Sequence, residues 1–155
     1  SEEPLDYDYG CVYACASPVF LKNEIRLYYG GSDWLHFSWR KGCLALATLR
    51  PDGFAGYVQE RRNEPAKIAT ESFLTKNGII KISVDIERDG LLNARLLSLG
   101  GDLVKEARVD RSCVDSDLFT SLPDHEAQYR IEFELHAAKL YSFTIEEQVQ
   151  GEQKP

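Results

Sequence analysis

The segment from Tyr129 to Leu135, YRIEFEL, constrains this chain more than any other. Tyr129, Ile131, Phe133 and Leu135 alternate with Arg130, Glu132 and Glu134, a period of two that an extended strand with one buried face satisfies and a helix does not. Residues 79–86, IIKISVDI, repeat the pattern with Ile80, Ile82, Val84 and Ile86 on one side. Strands are also expected over 25–29, 44–49, 67–74 and 139–145, where β-branched and aromatic residues are bounded by turn formers. Residues 92–99, LNARLLSL, fit a strand or a short helix by pattern alone, and the flanking turns favour the strand. Turn signals stand at Arg50-Pro51-Asp52-Gly53, Asn77-Gly78, Asp89-Gly90 and Gly100-Gly101-Asp102. Pro18 puts the following Val19-Phe20 at a sheet edge or a strand start. Residues 59–67 and 113–121 read as polar loops. No stretch holds a helical period for three turns, so the expected fold is all-β, an antiparallel β-sandwich or jelly roll. One domain over 1–155 is expected, with flexible ends at 1–6 and 147–155.

Charge narrows the partners. A net charge of -7 disfavours nucleic acid, whose phosphates would be repelled. No apolar run reaches the length of a membrane span, so membrane insertion is not expected. The chain contains no methionine, even at position 1, which suggests either processing, as fits a secreted protein, or a trimmed sequence. Its four cysteines, Cys11, Cys15, Cys43 and Cys113, include no Cys-x-x-Cys pair of a zinc site. In an oxidising compartment they allow three intrachain pairings, or one bridge and a second between subunits. Four buried thiols are the alternative, and at least one disulfide is expected.

Functional chemistry concentrates between Gly30 and Gly42. This connecting loop carries Ser32, Asp33, Trp34, His36, Trp39, Arg40 and Lys41, including both tryptophans of the protein. A loop needs none of these residues to turn, and aromatics beside charges on a connecting segment suggest a binding surface on a rigid scaffold. Sugars are held by hydrogen bonds to paired hydroxyls plus an aromatic face against the C–H side of the ring. Asp33 accepts, Arg40 and Lys41 donate, His36 does either, and Trp34 or Trp39 supplies the face. Tyr9 and Tyr13 are candidates to line the same concavity. Plainer readings stand beside these: the tryptophans as core residues, Arg40 bridged to Asp33, His125 solvated and His136 structural. Calcium is a further candidate, at Asp6 and Asp8 or at Asp110, Asp115 and Asp117, although no complete calcium loop is present.

The run EIRLYYGGSD from Glu24, then His36, Trp39-Arg40 and LALATLRPDGFAGY ending at Tyr57, resembles the C-terminal part of proteins related to glycoside hydrolase family 32. FELHAAKLYSF, from Phe133 to Phe143, is similar to the closing strands of the same region, and YGCVYA with Ser17-Pro18-Val19 to the preceding strand of the last blade. The resemblance implies a five-bladed propeller followed by a β-sandwich, with Asp33, His36 and Arg40 on a last-blade loop near a sugar pocket. It also implies catalytic carboxylates on earlier blades, and no opposed pair is recognisable among these residues. A binding role without catalysis is therefore expected, as in small invertebrate galactose-binding lectins. The expected protein is a secreted lectin for glycans with terminal galactose or a related sugar, acting as a homodimer because weak sugar sites gain by avidity. The alternatives are a glycosidase-related enzyme fragment and a structural accessory domain.

Overall fold

The computed structural model describes residues 2–37, 39–123 and 125–147. Among these there is no helix; the chain is all-β, built of antiparallel sheets that do not close into a barrel. It forms two compact units, residues 1–53 and 54–155.

The first unit is a four-stranded sheet. β3 (Ile25–Ser32) is flanked on one side by β4 (Gly42–Leu49), and on the other by β1 (Cys11–Ala14) and the short β2 (Val19–Phe20). β2 begins directly after Pro18, where the missing N–H costs the sheet nothing. β3 and β4 pair without a break from Ile25↔Leu49 to Ser32↔Gly42, so both strands run deeper into the Gly30–Gly42 segment than expected, and the loop proper is 33–41. The turn at 50–53 closes with Gly53 N donating to Arg50 O at 3.0 Å.

The second unit contains β5 (Tyr57–Val58), β6 (Ala66–Ala69), β7 (Phe73–Thr75), β8 (Gly78–Ser98), β9 (Leu103–Val109), β10 (Cys113–Phe119) and β11 (Ala127–Glu147). β8 and β11, 21 residues each, pair along almost their whole length. Both bend in the middle. The first half of β8 pairs with β10 and the last half of β11; the second half of β8 pairs with β9 and the first half of β11, which also carries β6 and β7. The bend folds the halves face to face as a sandwich: Phe143 from one half meets Phe133 and Phe73 from the other, with ring centroids 5.9 and 6.4 Å apart. Ile80, Ile82 and Val84 join Leu92, Leu96, Ile131, Phe133 and Leu135 in one buried cluster.

The alternation that marks β11 changes parity twice, from odd positions up to Leu135, to even at Ala138 and Leu140, and back to odd at Phe143 and Ile145. Each change falls at a register shift, between His136 and Ala138 and between Leu140 and Ser142. An extra residue at a bulge flips which side chains point inward. Asp89 and Ala137 take positive φ at the first of these, 63° and 43°. Asp89-Gly90 is therefore not a chain-reversing turn but the bent middle of a continuous strand.

Two other expectations are corrected. Residues 113–121 are not a polar loop: Cys113–Phe119 is an edge strand whose register against β8 slips twice, which blurs its period. Residues 67–74 are two strands, β6 and β7, interrupted where Thr70 turns its N–H to Ile131 O. The flexible end expected from 147 onward lies, after Glu147, outside the described residues.

No two cysteines are bridged within the chain, so the expectation of at least one disulfide is corrected for intrachain pairs. Cys11 and Cys43 lie on strands separated by β3, with partners on adjacent and therefore opposite-facing positions, Ser32 and Gly31. Cys15 is four residues beyond Cys11 along an extended segment, about 13 Å away at strand rise, twice what a disulfide spans.

Gly90 sits where β11 crosses closest: a Cβ there would lie 2.3 Å from the Ala137 carbonyl oxygen and 2.8 Å from that of His136. Gly90→Ala is expected to destabilise the second unit by about 1–3 kcal/mol in urea unfolding. Gly100→Ala, whose Cβ meets nothing closer than 3.5 Å, should shift stability by less than about 0.5 kcal/mol. Equal effects would contradict the close approach at the bend.

Candidate functional site

The 33–41 loop is tied at its neck. Asp33 N donates to Lys41 O at 3.3 Å, and Lys41 N donates back to the Asp33 carboxylate at 2.8 Å. Ser32 is buried, and its hydroxyl donates to Trp34 O at 2.7 Å. Gly10 N donates to Ser32 O at 2.8 Å, and the Gly10 backbone lies so close to Trp34 that a Cβ would overlap the Trp34 carbonyl carbon at 2.0 Å. Only glycine permits this approach, which seats the Tyr9-Gly10 segment under the loop. The Tyr9 ring then supports Trp34, with centroids 6.5 Å apart.

The candidate residues accordingly divide. Asp33, Trp34 and Trp39 line one open hollow together with Pro4 and Leu5 from the N-terminal segment, about 530 Å³ in volume. Trp39 is 95% exposed and Trp34 40%. Neither tryptophan is a core residue of this unit. Asp33 spends one carboxylate oxygen on the loop neck and keeps acceptor capacity for a ligand. Tyr9 and Ser32 act behind this surface, by supporting and fixing Trp34.

The rest do not join it. Arg40 does not bridge to Asp33; its guanidinium donates to Leu35 O at 3.3 Å and braces the loop from within. His36 sets its ring edge-on to Phe37, centroids 5.6 Å apart. Tyr13 lies on β1 opposite Gly30, 61% exposed, on the sheet face that also carries Leu44. The candidate calcium ligands are spread out: Asp6 caps Tyr7 N at 3.0 Å, Asp8 accepts from the Tyr29 hydroxyl at 3.0 Å, and Asp115 faces Lys81 at 3.7 Å. Among the described residues no three metal-ligating side chains come together. Asp124, beside His125, lies outside them. His136 is paired to Glu134 at 2.7 Å in the second unit.

A polar knot that residue patterns do not reveal ties the N-terminal segment to the sheet. The Tyr29 hydroxyl lies 3.3 Å from that of Tyr7 and donates to Asp8, while the Cys43 thiol donates to Tyr7 O at 3.4 Å. The segment that supplies Pro4 and Leu5 to the hollow is anchored here. The Tyr7 hydroxyl, then burial, then the Asp8 carboxylate hold the Tyr29 phenol well above the ordinary tyrosine range.

No family model, curated protein or solved structure matches the chain.

Because the protonated phenol is favoured in the folded state, its contribution to stability is fully present below the ordinary tyrosine range and is lost as pH rises from there through the raised folded-state value. In an alkaline titration followed at 295 nm, Tyr29→Phe should remove one late-titrating phenol and flatten the fall in stability above about pH 10. Loss of a phenol from the ordinary part of the curve, at about pH 10, with the late part unchanged, would show instead that Tyr29 ionises like an exposed tyrosine.

Proposed function

We infer that the chain is a non-catalytic carbohydrate-binding protein that receives a terminal sugar ring in the Asp33–Trp34–Trp39 hollow. The observation that carries this reading is Trp39, an indole left almost bare beside a second tryptophan and an incompletely used carboxylate. An uncovered indole face of this size gains about 2–3 kcal/mol when an apolar surface covers it. A galactose-type ring suits it, because its axial hydroxyl leaves a continuous C–H patch on the opposite face. The Asp33 carboxylate is placed to accept from the hydroxyls at the rim. The resemblance to the last-blade and C-terminal β-sandwich region of glycoside hydrolase family 32-like proteins supports the reading at Asp33, while His36 and Arg40, which it also implies, lie outside the hollow.

In this reading the protein is secreted and works as a homodimer. A hollow open on one side holds a single ring weakly, and two copies acting together supply the avidity.

A glycan array probed with the purified chain tests this. Terminal-galactose glycans should be retained selectively, Trp39→Ala should reduce retention roughly tenfold or more with the fold intact by circular dichroism, and Arg40→Ala should act only through loop order. An array that stays blank at high protein concentration would sink the reading and favour a structural module.

A further inference from the structure

The second unit carries a groove that none of the loop chemistry uses. It has a volume of about 830 Å³ and runs across β6, β11, β8 and β9. None of its lining residues comes from the opposing half of the sandwich, so it lies on the outer face of the sheet. Register defines two rows of side chains that point into it. One is Lys67–Glu134–Asn93–Arg108. The other is Ala69–Glu132–Arg95–Glu106. Four strands at the usual spacing span about 14 Å, the length of a short run of linked sugar rings.

A row of alternating charges on a sheet is usually a solvated face. Three features separate this one. Its central carboxylates are fixed: Glu132 lies between Arg95 at 3.5 Å and Arg130 at 3.2 Å, and Glu134 between His136 at 2.7 Å and Lys67 at 3.8 Å. Their side chains are only 35% and 37% exposed, so they form the floor while Lys67, Arg95, Glu106 and Arg108 stand at the walls. Ala69 and Asn93, short side chains in rows of long ones, leave the space open. Such a floor is preorganised, and ligand binding need not order it.

We propose that this groove binds a neutral polyhydroxylated chain, an oligosaccharide lying across the four strands. The lining holds three carboxylates and three basic groups, so it attracts neither an anionic nor a cationic polymer by net charge. It offers donors and acceptors at close intervals, which is what successive hydroxyls, each a donor and an acceptor, require. Hydrogen bonds to charged groups are the stronger kind, and they compensate for the absence of an aromatic platform here. Glu134 binds as a carboxylate: the His136 hydrogen bond, reinforced by Lys67, holds it below the ordinary carboxylate range, unsuited to act as a protonated acid. This site is separate from the 33–41 hollow and does not depend on it.

The test is an amide-shift titration of the full 155-residue chain with neutral hexasaccharides of glucose, mannose, xylose and galactose. A hexagalacturonate and a hexameric glucosamine serve as charged comparators. At least one neutral hexamer should move the amides of 93–95, 106–108 and 132–134 at millimolar concentration. Arg108→Ala, on the exposed edge strand, should weaken that binding roughly tenfold. The proposal is overturned if no neutral hexamer moves those amides, if a charged hexamer binds there more tightly, or if binding survives Arg108→Ala and Asn93→Ala unchanged. Shifts confined to 33–41 would uphold the hollow and overturn the groove, and the wild-type map decides even if a variant fails to fold.

Discussion

The pairing of β8 with β11 is the interaction on which the second unit depends. It joins Gly78–Ser98 to Ala127–Glu147 through both halves of the sandwich, so every other strand of the unit finds its place from one of these two. A slip of one residue would turn Ile131, Phe133 and Leu135 to solvent and bring Arg130, Glu132 and Glu134 into the core, at a cost no small domain sustains. The same register that hides the apolar row builds the outer face. Core and groove are the two sides of one alternation, so a change that disturbs either is felt by the other.

The first unit is organised differently. Its sheet is thin and leaves large side chains such as Tyr13 and Leu44 uncovered, and its chemistry collects at one hairpin end. The loop keeps its shape without a core of its own, through the Asp33–Lys41 neck, the Ser32 hydroxyl, the Gly10 approach and the Arg40 brace. Holding a loop by its backbone groups leaves its aromatics free. That division of labour explains why residues of similar chemistry, adjacent in sequence, take different roles: Arg40 and Ser32 spend their hydrogen bonds inward, Trp39 and part of Asp33 remain outward.

Much of the fold was legible in the residues. Strict alternation marked Tyr129–Leu135 as a core strand with one buried and one more exposed face, the apolar row Ile80, Ile82 and Val84 marked a second, and Gly100-Gly101 marked the reversal between β8 and β9. β10 was missed for the converse reason: an edge strand with two register slips loses its period, and its Asp-Ser-Asp centre reads as loop. The expected disulfide failed because cysteine counting is blind to sheet order, which puts β3 between Cys11 and Cys43. Of the loop residues, pattern picked out the aromatic pair that lines the hollow but could not separate ligand-facing groups from braces. The groove was invisible, since alternation says Glu132 and Glu134 point outward but not which residues of β6, β8 and β9 stand beside them.

Trp34 and Trp39 are the protein's only tryptophans, and both line the hollow. Tryptophan emission, excited selectively where tyrosine does not absorb, is therefore a label-free report on that site. The most direct measurement is a fluorescence titration with galactose and lactose, with mannitol as an open-chain control. The account predicts a saturable change in emission with the cyclic sugars, lost in Trp39→Ala and absent with mannitol. Emission that stays flat to high millimolar sugar, or responds equally to mannitol, would contradict it.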